Sequence, residues 1–362
     1  MTRPDERAGG RRWIPYVPLL LASAVVGAYA NSLQGPFLFD DRPAIVQNPY
    51  IRDLWPPWET VRPPPHGKAM GQRPVVLYSF ALNYALGGLD VVGYHLTNVA
   101  IHLLAALTLY GLLRRSLRLR GEAAATGLAA SASLLWALHP LQTQSVTYLV
   151  QRSESLMGLL ALLTLYSLTR AAESPTPRGW SALAVAACCL GMATKPVMVT
   201  VPLLALCYDA SCLAGSLRQA WQKRRGLYWG LAASWLLLAA VLWPLNRLVA
   251  ADVTFGVEQY TPTEYLRTQP AILLHYLTLA VWPARLVFDY AWPVASSVRA
   301  ILPSSLMVGL LLAGSVWALR RSRLVGFLGL WFFLSLAPTS SLVPLDDLAC
   351  ENRMYLPLAA LA

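Results

Sequence analysis

Charge is what this sequence has least of. Asp, Glu, Lys and Arg make up 13% of its 362 residues, against about 25% in a soluble domain, too few to wet a surface all round. Cysteine is sparse as well. Cys188, Cys189, Cys207 and Cys212 lie in apolar surroundings and Cys350 stands alone in a loop. No CxxC pairs with histidine at zinc spacing, so neither a disulfide scaffold nor a zinc module is indicated. What remains is apolar: 56% of the residues, with a mean hydropathy of +0.47. Blocks such as 13–30, 228–245 and 301–319 each approach the length that crosses a bilayer. An ordinary cytosolic enzyme and a disordered chain are excluded. The fold class read from this pattern is an all-α polytopic membrane protein.

The net charge of +11 could point to nucleic acid, but its distribution does not. Let the amino terminus face the cytoplasm and the chain weave from there. Five basic clusters then fall on that face: Arg3/Arg7/Arg11/Arg12, Arg114/Arg115/Arg118/Arg120, Arg170/Arg178, Arg218/Lys223/Arg224/Arg225 and Arg320/Arg321/Arg323. That face takes 17 of the 29 Lys and Arg residues but 5 of the 18 Asp and Glu residues. This is positive-inside asymmetry, which accounts for the excess charge without a polyanionic partner. Membrane lipids are the expected surroundings, and nucleic acid is not an expected partner.

Spans are expected near 13–31, 92–113, 124–138, 154–170, 180–194, 196–213, 226–246, 300–319 and 324–338, with another beginning near Met354. Together they form a single membrane domain over 1–362, a bundle of roughly ten helices. Residues 32–90 form a large first outer loop, proline-rich and carrying Trp55 and Trp58, the aromatic pair that could touch a ligand. Its backbone could not go unpaired in lipid. Within it, 73–85 reads as a helix opened by Pro74 and lying along the membrane surface. A second outer segment covers 248–299. Its apolar stretch 270–282 is read as an interfacial or re-entrant helix, since a full crossing would put Arg320, Arg321 and Arg323 on the wrong side. No internal repeat is visible.

Outside the basic clusters, the unusual polar residues gather on the outer side, where ionisable groups are costly unless they pair or serve a ligand. Asp40 and Asp41 are adjacent carboxylates beside lipid. Mutual repulsion raises one of them toward the range of a general base; a helix cap partnered by Arg42 is the alternative. Arg152, Lys195 and Arg353 stand where loops meet apolar helix. They could grip a phosphate whose lipid stays in the bilayer, or snorkel and pair with Glu154 or Glu351. His139 could donate in the site or cap its helix. His95 and His102 share a helix face, but no third ligand stands at metal spacing, so no metal is expected.

Six segments taken in order resemble a known family: NSLQGPFLFDDRPAIVQNP at 31–49, RPVVLYSFALNY at 73–84, GYHLTNVAIH at 93–102, HPLQTQSVTYLVQR at 139–152, TKP at 194–196, and ENRMYLP at 351–357. They are similar to polyprenol-phosphate-dependent GT-C glycosyltransferases. Within these the likeness is to the transmembrane O-mannosyltransferases targeting cadherins and their bacterial relatives, which often carry tetratricopeptide repeats. The resemblance implies a GT-C-like bundle that transfers a sugar, mannose by analogy, with inversion. The donor would be a polyprenyl or dolichyl phosphate sugar. The acceptor is a hydroxyl on the periplasmic or luminal face, protein Ser/Thr in the animal branch.

Asp40 or Asp41 would then be the base, and Arg152, Lys195 and Arg353 the donor-phosphate ligands. His139, Gln144, Asp289, Glu351 and Tyr355 would bind substrate or support the site. No cofactor beyond the lipid-linked donor is implied, and metal dependence stays open. Two positions depart from the family pattern: Pro196 stands where many relatives have Glu, and Gln144 where animal members often do. The repeats expected after the membrane region are absent, which fits a truncated chain. The Ala/Leu/Arg-rich usage suggests a bacterial inner membrane. A secondary transporter or lipid flippase is the rival reading, but it calls for charged residues at the midplane and paired repeats.

Overall fold

The computed structural model describes residues 16–64, 70, 73–252, 259–341 and 343–362. The basic cluster Arg3/Arg7/Arg11/Arg12, the start of the first expected span at 13–15, and 253–258 of the second outer segment lie outside the described residues. Among the described residues all regular structure is helical. The principal helices are α1 (Val17–Tyr29), α2 (Pro74–Gly87), α3 (Val91–Leu119), α4 (Ala125–Leu138), α5 (Arg152–Glu173) and α6 (Pro177–Met192). They are followed by α7 (Val201–Tyr208), α8 (Leu217–Asp252), α9 (Pro262–Val281), α10 (Val298–Arg321) and α11 (Arg323–Leu336).

Local signals start these helices where the sequence changes character. Asp90 caps α3 by accepting from the Val92 amide at 3.1 Å, and Thr261 and Glu264 form a reciprocal capping box at α9, each satisfying amides that a helix start leaves unpaired. Proline opens α2, α6 and α9, where its missing N–H costs nothing.

Among the described residues five helical segments are long and apolar enough to cross a membrane: Val91–Leu119, Leu149–Glu173, Pro196–Leu213, Leu217–Leu242 and Val298–Arg321. Four shorter apolar helices accompany them. The third segment is not one α-helix. Its 3-10 turn, α7 and π turn follow one another, with Pro196 and Pro202 at the starts of the first two. The fifth stays largely uncovered: its apolar window is 0% buried, against 67% for the window containing α5. Helix α5 is therefore the hub. It packs between α3 and α6, while α10 pairs with α11 at the periphery.

Several expectations change. The surface helix expected at 73–85 exists as α2, but it is built into the protein. Val76, Leu77, Phe80 and Ala81 pack with Ala44, Ile45 and Ile51 of the first loop and with Tyr94 of α3. The segment expected to be an interfacial or re-entrant helix at 270–282 belongs to a continuous 20-residue helix, α9, with Pro270 inside it. It buries Tyr265, Ile272 and Tyr276. The span expected from Met354 is instead two 3-10 turns, Glu351–Met354 and Pro357–Ala360. The first packs against the turns at 140–147 and the second against α11 and α4, with Met354, Tyr355, Leu356 and Leu358 buried.

The bundle has two chemically distinct ends. At one, Arg115 pairs with Glu173 and Arg224 with Asp209, at the ends of helices flanked by the basic clusters. The other end collects the first loop, the chain around 139–152, Lys195 and the segment near 351.

Candidate active site

The first loop folds back on itself at Asp40 and Asp41, and this sends the two carboxylates in different directions. Phe39 adopts a φ of +37°, a region that side-chain-bearing residues seldom occupy. The Asp41 amide donates to the Leu38 carbonyl at 2.8 Å. Asp41 is buried, and both of its oxygens are occupied: Oδ2 accepts from the Leu38 amide at 3.0 Å and Oδ1 from the Val150 amide at 2.9 Å. The side chain thus ties the loop to the start of the segment that becomes α5. Burial pushes its carboxyl up to about 6, against the opposing pull of those amides, with Asp40 adding repulsion. Asp40 is exposed. Its amide donates to the Tyr148 hydroxyl at 3.0 Å, and the two side chains are close enough to interact electrostatically, which with burial holds the phenol above its ordinary range.

Tyr148 packs edge-on against Phe288 at 4.9 Å between ring centroids, and Phe288 stacks on Phe39 at the same separation. Three chain segments far apart in sequence therefore meet around Asp40.

Behind the loop lies a run of alternating charges. Arg73, at the cap of α2, donates from Nη1 to Ser153 Oγ at 3.2 Å and lies within electrostatic reach of both Glu154 and Asp40. Glu154, 2% exposed, forms an ion pair with Lys195. Burial, reinforced by Arg73 and Arg353, pushes the Lys195 ammonium below its ordinary range, and Glu154 pulls it back. Arg353 is largely committed to the protein, donating from Nη1 to the Leu348 carbonyl at 3.0 Å and the Tyr265 hydroxyl at 3.2 Å and from Nη2 to the Asp347 carbonyl at 2.5 Å, but unlike Arg152 it borders a cleft. Glu154 and Arg353 line one small cleft with Met157, Val197, Thr339 and Leu356. Asp40, Lys195 and Arg353 are thus linked through Arg73 and Glu154.

Arg152 is the correction. Expected to grip phosphate, it is fully buried and committed to the protein. Its Nε donates to Asn98 Oδ1 at 2.6 Å, Nη1 to the Ser79 carbonyl and hydroxyl at 3.1 Å, and Nη2 to the Tyr94 carbonyl at 3.1 Å. Its guanidinium carbon lies 4.5 Å from the Phe80 ring centroid. Its bonds join α2, α3 and α5.

The supporting residues turn out to be clamps. His139 is held through both ring nitrogens, accepting from the Leu141 amide at Nδ1 and facing the Ala280 carbonyl at 3.1 Å from Nε2; burial lowers its pKa, with the Ala280 contact opposing. Gln144 donates to the Phe288 carbonyl at 3.2 Å and accepts from the Asn352 amide at 2.9 Å. Glu351 accepts from the Val287 amide and the Tyr290 hydroxyl, both at 2.8 Å, and burial raises its pKa against those bonds. Asp289 is exposed and turns its own loop by accepting from the Ala291 amide.

Tyr355 is core, its hydroxyl 2.9 Å from His102 Nδ1. His95 faces the Gly35 carbonyl instead, so the two histidines of α3 serve different partners. Among the described residues no group of three or more His, Cys, Asp or Glu could hold a metal ion. Trp55 and Trp58 are exposed and adjacent, 6.1 Å between ring centroids.

Arg73 and Tyr148 were missed by sequence reasoning. The signal for Arg73 was its place immediately before Pro74 in one of the resembling segments. Tyr148 also lies in a resembling segment, but its partner, 108 residues away, is not readable from local sequence.

The family model for dolichyl-phosphate-mannose-protein mannosyltransferase matches residues 67–243. Over those residues the chain resembles this family. A protein O-mannosyl-transferase of Caenorhabditis elegans is 26% identical over 94% of this chain and 49% of its own length. Protein O-mannosyl-transferase TMTC1 of Homo sapiens is 33% identical over 47% of this chain and 20% of its own length. The human TMTC3 is 28% identical over 54% and 22%. The chain spans about half the length, or less, of these curated relatives. No solved structure matches it. With five apolar helices and this kinship, the chain is an integral membrane protein.

Proposed function

We propose that the protein is a GT-C type glycosyltransferase that moves mannose, with inversion, from a polyprenyl phosphate to a hydroxyl acceptor, protein Ser/Thr among them. The observation that carries this is one exposed carboxylate, Asp40, lying near a group of half-buried and buried cations. Arg73 lies within electrostatic reach of both Asp40 and Glu154, and Lys195 and Arg353 stand beyond. The names of the family and of the relatives supply the sugar and the protein acceptor. The four shorter apolar helices and α9 complete a single membrane domain of about ten helices, with residues 32–90 and 248–299 on the active face. That face would be periplasmic in a bacterium and luminal in the endoplasmic reticulum.

The chemistry follows from charge. Asp40 accepts the proton of the acceptor hydroxyl as its oxygen bonds to the anomeric carbon. The bond from that carbon to the phosphate oxygen breaks, and its electron pair stays on the phosphate. The donor's diester carries one negative charge and the released monoester approaches two, so cations near the phosphate stabilise the transition state more than the ground state. No strong general acid is needed, because phosphate is already a good leaving group. Asp41 holds the loop; Tyr148 fixes the backbone of Asp40. Arg73 replaces Arg152 among the phosphate ligands, beside Lys195 and Arg353.

The deciding experiment is to reconstitute the protein with a polyprenyl phosphoryl mannose and a Ser/Thr peptide. Released lipid phosphate and mannosylated peptide in equal amounts support the reading. Lipid crossing the bilayer without either product overturns it in favour of a flippase.

A further inference from the structure

The cation group is occupied by an anion of the protein's own. Glu154 is 2% exposed and pairs with Lys195 through an Oε1 contact. Arg73 donates to the neighbouring Ser153 hydroxyl and feels the Glu154 charge. Glu154 also lines the same cleft as Arg353. A bare cluster of buried cations would be costly to assemble, and a carboxylate there offsets part of that cost. It also has a consequence for ligands. Any phosphate reaching Lys195 and Arg353 shares them with Glu154 and lies beside a fixed negative charge in a low-dielectric setting, where repulsion is strong.

We infer that Glu154 is a charge discriminator, which makes the site prefer a singly charged phosphodiester over a doubly charged phosphomonoester and so expels the product lipid phosphate. This rests on the donor-site reading above. The donor is a diester with one negative charge at any physiological pH. The product monoester, with a second pKa near 6, approaches two charges above neutrality. Transfer itself therefore adds one negative charge beside Glu154, and repulsion falls on the product alone. The acid lies on the first turn of α5, a rigid helix. Lys195 is on a short connection between α6 and α7, so the cation is the partner that can turn from carboxylate to phosphate.

Binding of two probes separates this role from a structural one. One is a short-chain polyprenyl phosphate, a monoester; the other is its methyl ester, a diester without sugar. Both are titrated into the purified protein, wild type and variants, at pH 8 and pH 5.5. Glu154→Gln is expected to tighten monoester binding about tenfold at pH 8 and diester binding less than about threefold. At pH 5.5, where the monoester carries about one charge, the two gains should converge. Glu154→Asp, which keeps the charge, should retain wild-type selectivity. Equal gains for both probes at pH 8, or no gain, overturns the inference while leaving the donor site standing. A wild type that binds neither probe, with Lys195→Ala no different, overturns the donor-site reading and the discriminator with it.

Discussion

Two adjacent aspartates of identical chemistry have opposite surroundings. Asp41 has both oxygens filled by backbone amides and is buried, whereas Asp40 keeps its carboxylate exposed. Asp40→Asn should therefore lower kcat by about a hundredfold or more with unchanged thermal unfolding, measured as mannosyl transfer in proteoliposomes. Asp41 behaves as a stability group. Its carboxyl sits near 6 in the fold against 3.8 ordinarily, so the folded state favours its protonated form. The stabilisation is complete below about pH 4 and is lost as pH rises through 6, up to about 3 kcal/mol for a shift of this size. Hydrogen exchange at Leu38 and Val150, corrected for intrinsic rates, should show protection falling between pH 5 and 7. Protection that is flat or rises would contradict this. Of the candidate residues, only their types could be read from sequence. Whether Arg152 faced a cleft or a core depended on Asn98, Ser79 and Tyr94, none adjacent to it in the chain.

At the scale of elements, the active end is closed by clamps between segments that do not neighbour one another in sequence. Gln144 joins the turn after His139 to Phe288 and Asn352 by donating and accepting at once. A carboxylate could not donate to the Phe288 carbonyl. Gln144→Glu should cost about 1–2 kcal/mol, seen as a lower melting temperature in detergent and a weakened Phe39–Phe288 contact. Helix approach sets a second constraint. Gly158 faces the Tyr355 ring so closely that a Cβ there would overlap it. Gly158→Ala should displace Tyr355 from His102 and destabilise the protein by about 2 kcal/mol, while Ala substituted at Gly27, where nothing lies within 4 Å, should be tolerated. The start of α2 was legible, since Pro74 acts locally. The 3-10 turns after Cys350 were not, because an apolar stretch reads alike whether lipid or protein covers it.

At the scale of the whole molecule, polarity runs from one end of α5 to the other. The helix is 22 residues long, about 33 Å at 1.5 Å per residue, which matches the hydrocarbon thickness. Glu154 lies near one end and Glu173, paired with Arg115, at the other. In a cysteine-free background, Trp55→Cys should react with an impermeant thiol reagent added outside intact cells, and Arg218→Cys only after lysis. The reverse pattern would place the site on the cytoplasmic side and remove the proposed orientation.

The amino-acid sequence by itself determined that the chain is helical and membrane-embedded, with its basic residues clustered near helix ends. These properties are sums over local composition, and no distant partner alters them. Tertiary structure alone decided which polar residues face the reaction. Burial separated Asp41 from Asp40, saturation withdrew Arg152, and proximity recruited Arg73 and joined Glu154 to Lys195. A side chain's role depends on the few groups within hydrogen-bonding reach, and in this bundle those groups come from 40 to more than 200 positions away.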